Sequence, residues 1–300
     1  MPRADGLTRI SPGRRLDRCI TLPIEAFGKF RTRPRGGPPT TIGPVNPVEE
    51  IAILAAGAAA GMVNAIVGSG SLITFPTLLF FGYSPLVANV SNTVGLVFGS
   101  ISGAIGYRRE LAGQRQRAAP LLVAALAGGL TGGSLLIVLP ATAFARIVPI
   151  LIIVACILVA LQPRLTRAIA ARRTRAGTAD GERHGAPLLV AAVFLTAIYG
   201  GYFGAAQGVI LMAVLAILVV DDLQRLNGLK NVIAAVTNGV AAIVFILFAP
   251  VAWQPAVLIA IGSTIGGQLG AVVGRRLSPF ALRSAIIAVG SIVAAKLLIG

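Results

Sequence analysis

The feature that most constrains this chain is a series of long apolar blocks, at 51–67, 121–139, 147–161, 188–200 and 232–251. A bilayer core takes about 20 apolar residues per helix, and with their small polar neighbours these blocks approach that length. None shows the alternation over about ten residues that marks a strand of an outer-membrane barrel. Backbone N–H and C=O groups in lipid must find partners within their own segment, which leaves helices. The expectation is an all-α, polytopic transmembrane bundle in a bacterial cytoplasmic membrane. Composition agrees: 56% of the residues are apolar and 12% charged, too few charges for a soluble chain of 300 residues.

A formal charge of +16 could suggest nucleic acid. The arginines, however, cluster in an N-terminal tail and in three connecting stretches, 108–117, 164–183 and 275–283. That is how a membrane protein anchors its cytoplasmic face. The expected partners are therefore the lipid bilayer and a small anionic substrate, with no nucleic acid, and the sequence leaves the oligomeric state open. Two cysteines, Cys19 and Cys156, form no CxxC pair, and the single histidine, His184, stands in a polar loop. No disulfide framework, metal site or cofactor is expected.

Residues 1–48 are rich in Arg, Pro and Gly and hold no apolar run long enough for a signal-peptide core, so a disordered basic tail is expected. Its arginines could bind anionic lipid. The remainder reads as a first transmembrane repeat (49–163), a basic cytoplasmic linker (164–187) and a second repeat (188–300). Each half opens with an apolar segment, breaks at glycines, and continues with a short apolar segment of about twelve residues, shorter than a bilayer core needs. A polar helix entrance containing Asn follows, then three longer helices. The first break is Gly68-Ser69-Gly70-Ser71, ahead of a short segment at 72–81 and the entrance 88–92. The second break spans 200–208, ahead of a short segment at 209–220 and the entrance 227–231. Asn92 and Asn231 then fall in matching places, each about two dozen residues beyond its break.

If the short segments cross the membrane, about ten spans result, the basic loops share one face, the uncharged turn 249–255 faces out, and the halves are inverted. If they are re-entrant, about eight spans result and Arg275 and Arg276 land opposite Arg108 and Arg109. The positive-inside rule favours inverted halves; the short reach of about 18 Å for twelve residues opposes them.

Charge within the spans is scarce and therefore informative. Asp221 and Asp222 end a short segment and are expected to touch water, and Lys296 is expected at the interface. Lys230 lies a turn or two inside a helix and is the candidate buried cation, its bland alternative being a lysine that snorkels to the interface. Glycine breaks can serve mere close packing. Recurring at one place in both halves, beside short segments, they point to a binding site at which helix N-termini and backbone N–H groups meet an anion. Gly68, Gly70, Gly204 and Gly208 would present that backbone. Ser69, Ser71, Asn92, Gln207, Asn227 and Asn231 would supply neutral donors, each of which could instead be interhelical glue. No nucleophile elbow, Walker loop or paired carboxylate occurs, so an enzyme is not expected. With no mid-helix acid to carry a proton, uncoupled movement of an anion would run outward, driven by ~2.3 kcal/mol per charge per 100 mV.

The runs Gly68-Ser69-Gly70-Ser71-Leu72-Ile73-Thr74-Phe75-Pro76 and Tyr107-Arg108-Arg109 resemble the first repeat of the TauE/SafE family of sulfite-exporter-like permeases. Gly200-Gly201-Tyr202-Phe203-Gly204 and Arg225-Leu226-Asn227-Gly228-Leu229-Lys230-Asn231 resemble its second glycine motif and its Asn-x-x-Lys-Asn motif. Gly266-Gly267-Gln268-Leu269-Gly270, leading to Arg275-Arg276-Leu277, is similar to its C-terminal part. The resemblance covers 48–300 and implies transport of sulfite, sulfonates and related organosulfur anions. Serine in the first break and Ala205-Ala206-Gln207 in the second depart from the family's richer glycine runs, and both changes alter donors beside the expected cavity. The expectation is a permease working by alternating access. The competing expectation is a membrane scaffold or assembly factor in which the polar residues only pack.

Overall fold

A computed structural model describes residues 46–176, 186–273, 287, 288 and 291. Among them are nine helices and no strand. Helix α1 (Pro47–Ile66) starts where the Asn46 side chain accepts the Val48 N–H at 3.2 Å, with Pro at its first position and Glu49 and Glu50 complementing the helix dipole. It stops at Gly68, whose φ of +85° no longer continues a helix. The short α2 (Ser71–Phe80) follows, and Gly82, at φ +87°, turns the chain into α3 (Pro85–Gly106). Then come α4 (Arg115–Val138) and α5 (Ala141–Ala176).

The second half repeats the order with α6 (Ala186–Tyr202), the short α7 (Gln207–Leu218), α8 (Leu223–Phe248) and α9 (Trp253–Val273). Gly204 at φ +77° and Ala206 at φ +60° make its break. Asp222 caps α8 by accepting the Gln224 N–H at 2.8 Å. Helices α1, α3, α4, α8 and α9, with the 141–164 part of α5, are long and apolar enough to cross a bilayer; α2, α6 and α7 are shorter. Large apolar side chains stay exposed on their outer faces, such as Val123, Leu126 and Leu130 on α4 and Ile261 and Ile265 on α9. Water would penalise that surface, and lipid does not. The chain is an all-α polytopic bundle.

The halves are interwoven. Helix α4 packs on α6 and α8 of the second half, α9 packs on α1 and α3 of the first, and α3 packs on α8. Glycines allow it: Gly128 and Gly132 lie on the α6 backbone, and Gly129 and Gly133 on α8 at Thr237 and Ala241. On α9, Gly262, Gly266 and Gly270 lie on α1, and Gly267 lies on α3 at Gly99 and Gly103. Apolar helices gain little from lipid by hydrophobicity alone, so close backbone contact through small residues has to hold them together.

Several expected boundaries move. The second break is shorter than 200–208, because α6 continues to Tyr202. Gly200 and Gly201 are packing surfaces there: the Gln207 carboxamide lies on one and the Gly129 backbone on the other. The basic stretch read as a flexible linker starts as helix, since α5 runs to Ala176 through a sequence of good helix formers with no glycine before 177. The uncharged turn is confined to 249–252, as Trp253 begins α9. The tail up to residue 45, Cys19, the rest of the linker with His184, the loop 275–283 and Lys296 lie outside the described residues.

Candidate functional site

The two breaks meet. The N–H of Gly208, in the first turn of α7, donates to the carbonyl of Gly68 at 3.0 Å. Both glycines are buried, and a Cβ on either would overlap the backbone of the other. Gly70 is pressed against the Ala60 carbonyl and Asn64.

Beside this junction, the first turns of α8 close over the end of α1. Asn227 Nδ2 and Asn231 Nδ2 each donate to Ala65 O at 3.2 Å. Lys230 Nζ donates to Asn64 O and Ala65 O, both at 3.3 Å. The last carbonyls of a helix have no partner within it and form the negative end of its dipole, so donors and a cation belong there. Lys230 is 1% exposed. It does not snorkel.

The first half makes the reciprocal contact. Asn89 Nδ2, on α3, donates to Tyr202 O at the end of α6 at 3.1 Å. Counted from the helix starts at Pro85 and Leu223, Asn89 matches Asn227 and Asn92 matches Lys230. By that count Asn92 and Asn231, paired above by their distance from the breaks, differ by one residue. On that numbering a lysine stands on α8 where α3 carries an asparagine.

The remaining predicted residues do not form one shell around Lys230. Asn92 Oδ1 accepts a hydrogen bond from Thr74 of α2, and Gln207 lies on Gly200. Ser71 is half-buried near Gly204, which also faces Asn238. Three of these side chains keep buried atoms with no partner: Ser69 Oγ, Asn92 Nδ2 and Gln207 Nε2. Each such atom costs about 1–3 kcal/mol unless something satisfies it. Lys230, with three N–H groups and two carbonyls engaged, has a donor to spare as well.

Sequence reasoning missed a central amide and hydroxyl cluster. Ser100 Oγ of α3 accepts from Asn64 Nδ2 at 3.0 Å and from Asn238 Nδ2 of α8 at 3.4 Å, joining α1, α3 and α8 at the seam between halves. It also missed Thr74 and Asn89. A usable signal existed: Ser100 and Asn238 lie equally far into α3 and α8.

Asp221 and Asp222 lie outside the helical spans. Asp222 is exposed, whereas Asp221 takes Arg117 of α4 at 2.7 Å and Arg225 at 2.9 Å. Partial desolvation pushes the Asp221 carboxyl up, but the Asp222 N–H and the two guanidiniums outweigh it and hold it below the ordinary carboxylate value. Among the described residues no cluster of His, Cys, Asp and Glu could hold a metal ion.

Residues 53–297 match the family described as "Sulfite exporter TauE/SafE". The chain is 27% identical over 245 residues to the "Probable membrane transporter protein YfcA" of Escherichia coli (strain K12), covering 80% of this chain and 86% of that one. It is 26% identical over 213 residues to the "Probable membrane transporter protein ORF9" of a Sinorhizobium species, covering 70% and 77%. A "Probable membrane transporter protein" of Haemophilus influenzae is 25% identical over 228 residues, covering 75% and 85%. No solved structure matches the chain.

Proposed function

The chain belongs to the sulfite exporter TauE/SafE family, and on that premise we propose that it is a membrane permease for small organic or sulfur-containing anions. The observation that carries this reading is the meeting of two broken helices beside buried donors without partners, Ser69 Oγ, Asn92 Nδ2 and Gln207 Nε2, and beside the Lys230 ammonium, which has one N–H left over. Donors kept dry and unused are costly, and an anion repays that cost when it binds. The positive N-terminal ends of α2 and α7 add to the attraction.

Lys230, Asn227, Asn231 and Ala65 are buried and Asn64 partly so, which leaves this conformation closed over the cluster. Access would come from movement of the interwoven pairs, with α4 carried on the second half and α9 on the first. The exchanged packing and the reciprocal Asn89 and Asn227 caps fit two halves related by a two-fold axis, and the arrangement of basic loops on one face makes inversion the preferred relation. Cysteines placed at Arg109 and at Val251 test this. Inverted halves label from opposite faces of sealed vesicles; labelling from the same face refutes them.

Flux is expected outward, because an inside-negative potential favours anion exit by ~2.3 kcal/mol per charge per 100 mV. Proteoliposomes loaded with sulfite, a simple sulfonate, thiosulfate or a simple carboxylate supply the test. Efflux that speeds up with an inside-negative potential supports the reading, and accumulation against both gradient and potential overturns it.

A further inference from the structure

Ala65 O is over-subscribed. Asn227 Nδ2, Asn231 Nδ2 and Lys230 Nζ all donate to it, where a carbonyl offers two lone pairs, and Lys230 shares itself with Asn64 O. The distances of 3.2–3.3 Å lie at the long end of the N–H···O range, as they must when three donors crowd one acceptor. The carbonyls belong to the last turn of α1, just ahead of the Gly68 break, where the helix dipole ends negative. Among the described residues no carboxylate pairs with Lys230, so its counter-charge is this helix end.

Carbonyls at the C-terminal ends of broken membrane helices are the groups that hold sodium in ion-coupled transporters. We propose that the Asn64 and Ala65 carbonyls form an alkali-cation site that the chain fills with its own Lys230 ammonium, a tethered cation in place of a dissociable one. The arrangement differs from an ordinary C-terminal cap in its depth, because the cation is 1% exposed and cannot exchange with water. Sodium then has no place at this helix end, and its gradient has no handle on the protein through this site. The matching position in the first half, Asn92, faces Thr74 instead of helix-end carbonyls and supplies no second cation site.

The consequence for flux rests on the permease reading, and the consequence for stability does not, so the test is made on stability. Full-length protein in detergent is melted in sodium chloride and in choline chloride, as wild type and as Lys230→Ala, Lys230→Met and Lys230→Arg, all purified with sodium present. Wild type and Lys230→Arg are expected to melt at the same temperature in both salts. Lys230→Ala and Lys230→Met vacate the carbonyls and are expected to gain roughly 3 °C in sodium at about ten times its dissociation constant. The proposal is overturned by a wild type that sodium stabilises over choline, by Ala and Met variants indifferent to sodium, or by failure of both variants to fold in its presence. A wild type that moves none of the tested anions would sink the permease reading without shifting any of these melting temperatures.

Discussion

Gly208 hands its backbone N–H to the carbonyl of Gly68 at 3.0 Å, so the interruptions of the two halves are bonded to each other rather than to solvent or lipid. A broken helix in a membrane leaves backbone groups that must be satisfied by protein. Here each half does this for the other: by this bond, by the Asn89 cap on α6, and by the Asn227, Lys230 and Asn231 caps on α1.

Gly208→Ala places a Cβ against the Gly68 backbone, which cannot swing aside as a side chain would. The variant is expected to lose about 1–3 kcal/mol of stability, the usual cost of overpacking. Gly239→Ala is the control. Gly239 lies inside α8 with open space where a Cβ would go, and alanine there is expected to raise stability by up to about 1 kcal/mol through helix propensity. Thermal melts of the two variants in one detergent compare them directly; equal effects would mean that the breaks are not in contact.

Ser69→Ala removes a buried hydroxyl that has no partner. Its melting temperature is expected to hold or rise, since an orphan polar atom costs about 1–3 kcal/mol. Substrate affinity is expected to fall roughly tenfold, the value of one hydrogen bond to an anion. A Ser69→Ala protein that melts early and transports normally would show the hydroxyl to be packing glue.

Asp221 ties α4 to the turn before α8 through Arg117 and Arg225. Its folded pKa is depressed, so its contribution to stability is present above the unfolded value of about 3.9 and fades as pH falls through the lower folded value. These groups are partly exposed, and the gain at neutral pH is expected to be no more than about 1 kcal/mol. Melts of wild type and Asp221→Asn from about pH 7 to pH 2 should show a small gap that closes at the acid end. A gap that widens on acidification contradicts the assignment.

Much of this fold is legible in the sequence, because spacing and length carry it. The apolar blocks become α1, α4, α5, α6 and α8, and the short segments at 72–81 and 209–220 become α2 and α7 within two residues. Gly200 and Gly201 misled, because a glycine that breaks a helix and one that admits a neighbour are the same letter; only the presence of Gly129 and Gln207 against them distinguishes the cases. The charged part of the site was visible for a similar reason, since a lysine inside an apolar run is conspicuous. Ser100, Asn64 and Asn238 were not, as single small polar residues in apolar helices carry no mark of which partner they meet, and theirs lie on other helices far along the chain. That Lys230 faces the end of α1 rather than an open pocket follows from helix packing, which periodicity does not encode.

Anion efflux decides whether Lys230 is the group an anion meets, measured in proteoliposomes carrying wild type or Lys230→Ala, both assayed in choline salts so that no alkali cation replaces the ammonium, and with insertion of the variant verified. Wild type is expected to release at least one of sulfite, sulfonate, thiosulfate or carboxylate, and Lys230→Ala to fall by about a hundredfold or more, as loss of a buried charge contact of roughly 3 kcal/mol requires. Release by Lys230→Ala at the wild-type rate would mean that no anion meets Lys230 on its way through the protein.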